Sequence, residues 1–372
     1  MKKRHLVIGS SAASIGVLTK LRALAPADEI ICLTAQQEMP YNTCLLADHL
    51  SAGSSTPTFW TKTSEFFATN RITLSRNTRI TELDPHAQFV RDETGKDHQY
   101  DTLFLGIGTS PIWLPQERPI AQGYYQFHSL TDLLSIEHFL QTHRPTQALV
   151  IGAGLSGIEC ADALVERGLH VTVIEGASRP LPTLVNDAGG ITLDATLRAK
   201  GVTVHYNTRV QTVLATADRV AHGVLCSDGS SITAPLIIAA VGARPNTQLA
   251  AQAGLTLAAT GIAVSPSFAT SIPNIFAGGD VASMRNLLTN DWHRSGAWPD
   301  AMRHGMLAAQ SITGSPAHYP GLIPVLSSKF FGTQFVSCGS ITAIPAHYQH
   351  IEAKEAEAVR AAFVLNFLKF VE

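Results

Sequence analysis

The feature that most restricts how this chain can fold is the stretch "VIGAGLSGIE", residues 150–159. A short apolar run, "ALVIG", leads into Gly152, Gly154 and Gly157, and "LSGIECADALVERG" then carries helical periodicity up to Gly168. The first glycine permits a tight turn out of the strand. The second lets another group approach the backbone, and the third lets the helix pack against the strand. "HVTVIE" reads as the next buried strand, so residues 148–175 form a βαβ unit, whose crossover is right-handed.

Such a turn suits a dinucleotide. At the helix start the free N–H groups of Leu155 and Ser156, together with the helix dipole, favour a pyrophosphate. Glu175 ends the second strand, 18 residues after Gly157. A carboxylate there accepts hydrogen bonds from an adenosine ribose and repels a 2′-phosphate, which favours NADH over NADPH. Arg179 pulls the other way, as a cation able to meet that phosphate. The bland alternative is a tight strand–helix turn with no ligand.

The same plan opens the chain. "VIGSSAASIG", residues 7–16, precedes its second copy by 143 positions and sets Gly9 against Gly152, Ser11 against Gly154 and Ser14 against Gly157. "HLVIG", "AASIGVLTKLRAL" and "EIICLTA" repeat strand, helix and strand. The basic start and apolar centre imitate a secretory signal. Gly9 interrupts the apolar part, however, and Thr19, Lys20 and Arg22 follow it at helical spacing, so a βαβ unit is expected. Each unit continues into a meander, turning at Thr94-Gly95 or Asp228-Gly229, and then into a buried strand at 102–107 or 235–241. This is a duplication at domain scale, not a short-period array. The expected class is α/β, with two Rossmann-like three-layer nucleotide-binding domains. A short C-terminal α+β segment begins near Val325 and runs to the helix-like "EAKEAEAVRAAFVLNFLKFV".

Composition supports a globular chain and removes other classes. Apolar residues make up 45% and charged residues 15%, which argues against disorder. The net charge is −2 and no basic stripe stands out, so nucleic acid is not an expected partner. No apolar run reaches the roughly 18–20 residues of a membrane span. The cysteines (Cys32, Cys44, Cys160, Cys226 and Cys338) form no CxxC or CxxxxC pair, so no metal site is indicated, and their spacing fits a reducing cytoplasm.

A second ligand loop lies at "TSIPNIFAGGDVAS", residues 270–283. A buried strand reaches Gly278-Gly279-Asp280, where the chain can pass close to a ligand and Asp280 can accept hydrogen bonds from hydroxyls. An ordinary Gly-Asp turn would read the same way.

Together these motifs resemble the FAD-dependent pyridine nucleotide–disulphide oxidoreductase family. Its T-x-x-P-x-I-F/Y-A-x-G-D segment is matched by Thr270, Pro273, Ile275, Phe276, Ala277, Gly279 and Asp280. "YDTLFLGIGTSP" is similar to its Y-D-x-L-x-x-A-T-G-x-x-P through Tyr100, Asp101, Leu103, Gly108 and Pro111. "VGARPN" is similar to its G-x-R-P-N through Gly242, Arg244, Pro245 and Asn246. The resemblance implies FAD at the first turn, on Gly9, Ser11, Ala12 and Ala13, with Gly108, Gly279 and Asp280, the last holding the ribityl chain. It implies NAD(P)H at Gly152, Gly154, Leu155, Ser156, Gly157 and Glu175, with Gly242. The family's adenosine-binding acid falls on Gln36. The implied domains are 1–112 and 246–324 for FAD, 113–245 for NAD(P)H, and a truncated or atypical interface domain at 325–372. Through that last segment a homodimer or a partner subunit are both open.

The branch is less determined. "MPYNTCLLADHL" is similar to P-Y-D/N-R-x-x-L-S-K of the rubredoxin reductase, ferredoxin reductase and nitrite reductase flavoproteins, with Thr43 in place of the Arg and Asp48 in place of the Lys. That branch implies a small redox protein as electron acceptor. Cys44 falls near the single redox cysteine of NADH oxidases, NADH peroxidases and coenzyme A–disulphide reductases, which implies a small-molecule acceptor instead; it reads equally as a small buried filler. A flavin- or NAD-binding regulatory or scaffold protein with little turnover is a third reading. Glu159 is implied at the nicotinamide face, or else complements the helix dipole. His304 sits on the helix "AWPDAMRHGMLAAQSITG", where a partly exposed histidine is the ordinary expectation.

Overall fold

The computed structural model describes residues 2–52 and 58–339; the helix-like stretch at 352–371 lies outside them. The elements that position the sites begin with β1 (Arg4–Ile8), α1 (Ala12–Leu24), β2 (Glu29–Leu33), α2 (Leu46–Ala52), β3 (Ile72–Ser75) and β4 (Thr102–Leu105). Next come β5 (Tyr124–Gln126), α3 (Leu130–His143), β6 (Gln147–Ile151), α4 (Leu155–Glu166), β7 (His170–Ile174), α5 (Asp187–Ala199), β8 (Thr203–His205) and β9 (Leu236–Ala239). The last are β10 (Ile275–Ala277), α6 (Trp298–Ile312), β11 (Val325–Phe330) and β12 (Thr333–Cys338).

The chain forms two units. The first takes Met1–Asn42, Thr58–Ser110 and Pro245–Ile323; the second takes Thr43–Pro57, Pro111–Arg244 and Pro324–Glu372. Each is built on a five-stranded parallel sheet, ordered β10-β4-β1-β2-β3 in the first and β8-β7-β6-β9-β5 in the second. Each also carries a three-stranded antiparallel meander, Ile80–Asp84 with Phe89–Asp92 and Asp97–Gln99, or Val210–Ala215 with Ala221–Cys226 and Ser231–Thr233. The α/β class and the duplication expected from the sequence are both present.

The central strands are apolar on both faces because helices and meanders cover them. Leu103, Phe104 and Leu105 of β4 and Leu236, Ile237 and Ile238 of β9 are fully buried. Burial at both faces explains why these strands read as continuous apolar runs rather than alternating ones. Helix α1 is buried along most of its length because α6 crosses it closely: a Cβ on Gly16 would strike the Met302 carbonyl, and one on Gly305 the Ala13 carbonyl. None of the described helices is long and apolar enough to cross a membrane.

Candidate functional sites

In the second unit the glycine turn has the geometry its spacing requires. Gly152 has φ +103°, and a Cβ there would strike the Ala240 carbonyl at the end of β9. A Cβ on Gly157 would strike the Gly152 carbonyl, so this glycine sets how closely α4 meets β6. Gly154, the N-cap of α4, faces open space, and the first turn carries no acidic residue. The opening therefore leaves room and positive potential for a phosphate.

Glu175 lies directly beside this turn. Its two carboxylate oxygens accept the N–H of Ala153 and of Ala177, each at 2.7 Å. The acid is thus locked at the mouth of the loop, with lone pairs left for ribose hydroxyls. Arg179 is engaged elsewhere: its guanidinium donates to the carbonyls of Pro182 and Val185 and pairs with Asp187 at 3.1 Å. The cation that the sequence set against Glu175 is thus tied to the start of α5 in this structure. Gly242 has φ +100°, and its carbonyl accepts the Ile112 N–H at 3.0 Å.

Glu159, near the start of α4, is engaged by a residue the sequence did not single out. The Ser328 hydroxyl on β11 donates to its Oε1 at 2.5 Å. Burial pushes the Glu159 carboxyl up, the Ser328 hydrogen bond opposes this, and the nearby Asp48 carboxylate adds to the rise.

The first unit repeats the turn with a different distribution of side chains. Gly9 has φ +99° and a Cβ there would strike the Gly106 carbonyl, the counterpart of Ala240. Ser11 is the N-cap of α1 but its hydroxyl makes no capping bond, and the first turn, which begins with Ala12 and Ala13, holds no acid. Ser14 is fully buried, with a hydroxyl that has no partner and sits where a side chain at Gly106 would go.

Around this turn, Ser10 donates to Gln36 Oε1 at 2.9 Å and to Thr34 Oγ1 at 3.1 Å. Gln36 thus spends its oxygen on the protein and keeps its N–H groups as donors for a ribose. Gly108 has φ +58° with open space at its Cα, and Asn246 fastens this loop by donating to the Ile107 carbonyl at 2.7 Å. Gly279, φ +72°, approaches Ala13 so closely that a Cβ would lie 3.0 Å from the alanine methyl. Asp280 follows it in the turn Gly279–Val281, half-buried at the end of β10.

His304 supports that turn and is not the partly exposed residue the helix pattern suggests. It is fully buried against Phe268 and Tyr319, and the Gly279 N–H donates to its Nδ1 at 3.3 Å. Burial lowers its pKa to about 4, so the ring is neutral, with its proton on Nε2. No pattern in the sequence distinguishes this histidine from a surface one; its burial depends on Phe268 and Tyr319, which are distant along the chain.

Among the cysteines, Cys44 is exposed in the short turn Thr43–Leu45 that leads into α2, so the buried-filler reading does not hold. Cys32 and Cys160 are buried, as their places in a strand and a helix suggested; burial pushes the Cys32 thiol up to about 12. The described residues contain no group of three potential metal ligands.

The residues around the first turn fit a flavin dinucleotide: an open helix N-terminus, a glycine-lined approach, and a carboxylate at the far strand end. The second turn fits a nicotinamide dinucleotide for the same reasons, with Glu175 added.

Comparison with known proteins agrees. Residues 3–305 match the family described as pyridine nucleotide-disulphide oxidoreductase. The chain is 28% identical to the NAD(P)H coenzyme A polysulfide/persulfide reductase of Pyrococcus horikoshii, over 98% of this chain and 80% of the relative. It is 29% identical to the rubredoxin-NAD(+) reductase of Pseudomonas putida, over 85% of this chain and 81% of the relative. A solved covalent putidaredoxin reductase–putidaredoxin complex superposes with a TM-score of 0.87 at 25% identity, covering 95% of this chain and 84% of that one. A large share of the chain thus carries the family's pattern, in sequence and in three dimensions. The chain belongs to the pyridine nucleotide-disulphide oxidoreductase family and is an NAD(P)H-dependent oxidoreductase that works with FAD.

Proposed function

We propose that this enzyme takes a hydride from NADH and delivers electrons to a small redox protein. The Glu175 carboxylate carries the preference for NADH. It is fixed at the loop by two backbone donors, while Arg179, the cation that would have favoured NADPH, is paired with Asp187. A 2′-phosphate at that point meets a negative charge with no positive partner from Arg179.

In this reading Gly152, Gly154, Leu155, Ser156 and Gly157 hold the pyrophosphate, Glu175 the adenosine ribose, and Glu159 the nicotinamide half, with Gly242 behind the turn. Gly9, Ser11, Ala12 and Ala13 hold the flavin pyrophosphate, Gln36 its adenosine ribose, and Gly108, Gly279 and Asp280 the rest. Thr43 lies beside Cys44 in the turn before α2. When bound, FAD supplies the hydride acceptance and onward electron release that no side chain can provide. The protein's part is to bind both rings and to fix their orientation. The reductase named for rubredoxin and the complex named for putidaredoxin support a protein acceptor.

A stopped-flow experiment with purified holoenzyme tests the reading. Flavin absorbance should bleach faster with NADH than with NADPH, and recover on adding a rubredoxin or a small iron–sulphur protein. Equal bleaching by both nucleotides sinks the Glu175 assignment; no recovery sinks the protein acceptor.

A second reading has one observation in its favour, the exposure of Cys44. A thiolate there would attack one sulphur of a disulphide or persulphide and release the other as a thiolate or sulphide; the Pyrococcus relative is named for polysulfide and persulfide reduction. Cys44→Ser turnover with coenzyme A disulphide decides it: unchanged rates remove the cysteine mechanism.

A further inference from the structure

The hairpin of β11 and β12 is fastened to the second unit at three points. Its two-residue turn, Phe331-Gly332, has φ +51° and +77°, the left-handed pair that a tight antiparallel hairpin needs. Phenylalanine is an unfavourable residue there, and its N–H is held by Asp162 Oδ2 at 2.6 Å. At the other end Ser337 donates to the Leu184 carbonyl at 2.7 Å. Between them Ser328 donates to Glu159. Glu159 and Asp162 stand one turn apart on α4, so one face of the helix that begins at the glycine loop is read by this hairpin.

We propose that Ser328 is a positioning residue, whose hydroxyl holds the Glu159 carboxylate in the orientation from which it meets the nicotinamide half of the dinucleotide. The proposal rests on the reading that places Glu159 there. Ser328 and the buried Phe330 alternate with the exposed Lys329, so the strand period turns the hydroxyl, and not the lysine, to the protein side. The Ser328 hydroxyl is a side-chain donor to the Glu159 carboxylate. The charged groups acting on it are few. Asp48 on α2, which also carries His49, raises it; Cys160, its neighbour on α4, has a thiol raised by burial and by Glu159 itself; and Asp162 is occupied by the Phe331 N–H. In a site that burial and Asp48 make unfavourable for charge, one hydroxyl donor favours the ionised carboxylate.

The sign follows. Removing the Ser328 hydroxyl removes a bond to the charged form, so Glu159 protonates at higher pH. In the holoenzyme, Ser328→Ala should move the acid limb of kcat/KM for NADH upward by roughly one pH unit. It should also weaken NAD(H) binding, followed by calorimetry, by about threefold to tenfold near neutral pH. Ser328→Thr, which keeps the hydroxyl, should behave like the parent. Ser337→Ala cuts another tether of the same hairpin and should leave the acid limb in place, which separates positioning from loss of hairpin stability. An unmoved acid limb in Ser328→Ala, or a shift of the same size in Ser337→Ala, overturns the proposal. Glu159→Gln distinguishes the two levels. If it weakens NADH binding while Ser328→Ala does not, the proposal alone falls; if it binds NADH like the parent, the reading of Glu159 falls and takes the proposal with it.

Discussion

The two glycine turns have the same backbone path and opposite side-chain solutions. In the second unit the helix offers Gly157 and the strand end offers Ala240; in the first the helix offers Ser14 and the strand end offers Gly106. One side-chain group fills the gap between helix and strand in each case, the Ala240 methyl or the Ser14 hydroxymethyl, and the facing residue has none. Counting glycines in a motif therefore misjudges the first turn. What the fold requires is one small group in that gap, and two positions 92 residues apart share the requirement.

The most severe test of this comparison is Gly106→Ala. Its methyl would collide with the Ser14 hydroxyl in a closed space, and the unfolding free energy should fall by about 1–3 kcal/mol. Adding Ser14→Gly recreates the arrangement of the second unit and should recover stability to within about 1 kcal/mol of the parent, the remainder being the helix cost of glycine. Thermal or urea unfolding of both variants decides; a Gly106→Ala protein as stable as the parent breaks the equivalence.

Next in size is Glu175→Ala. Losing a charged acceptor for the ribose, worth about 1.5–3 kcal/mol, should raise KM for NADH by roughly tenfold or more and narrow the gap to NADPH. The matching change in the first unit, Gln36→Ala, removes only a neutral partner and should lower flavin affinity less, measured by flavin retention after dialysis.

His304 gives a smaller, pH-dependent effect. Its pKa falls from 6.5 to about 4 on burial, so the unfolded chain binds a proton that the folded one refuses. The associated stability is intact above pH 6.5 and is lost as pH falls toward about 4. His304→Gln should flatten that part of the stability curve; an unchanged slope would show that the ring is charged or exposed in solution. The smallest effect belongs to Arg179→Ala, which should alter the NADH-to-NADPH ratio by less than about twofold, because its guanidinium is paired with the solvent-exposed Asp187 and bonded to the Pro182 and Val185 carbonyls.

Much of this was legible along the chain. Both βαβ units, the two meanders and the Gly279-Asp280 turn announce themselves through local spacing, since strand and helix periods and left-handed glycines are properties of neighbouring residues. The sites were legible to the extent that their residues lie in those turns. The partners of Arg179 were not legible, because they are set by the path into α5. His304 was misjudged, because periodicity places a residue on a helix face without saying what covers that face. Ser328 was missed, because an isolated serine on an alternating strand carries no signal.

By itself, then, the sequence determined the number and type of nucleotide turns, the acid at the end of β7 and the α/β class. Tertiary structure alone decided which side of each turn bears a side chain, where the Arg179 guanidinium is tied, and which hydroxyl reaches Glu159. The reason is physical. Turns are closed by covalent spacing, within reach of adjacent residues. The pairs Ser14–Gly106 and Glu159–Ser328 are closed only when separate elements pack, where burial excludes water and makes each contact depend on sub-ångström register.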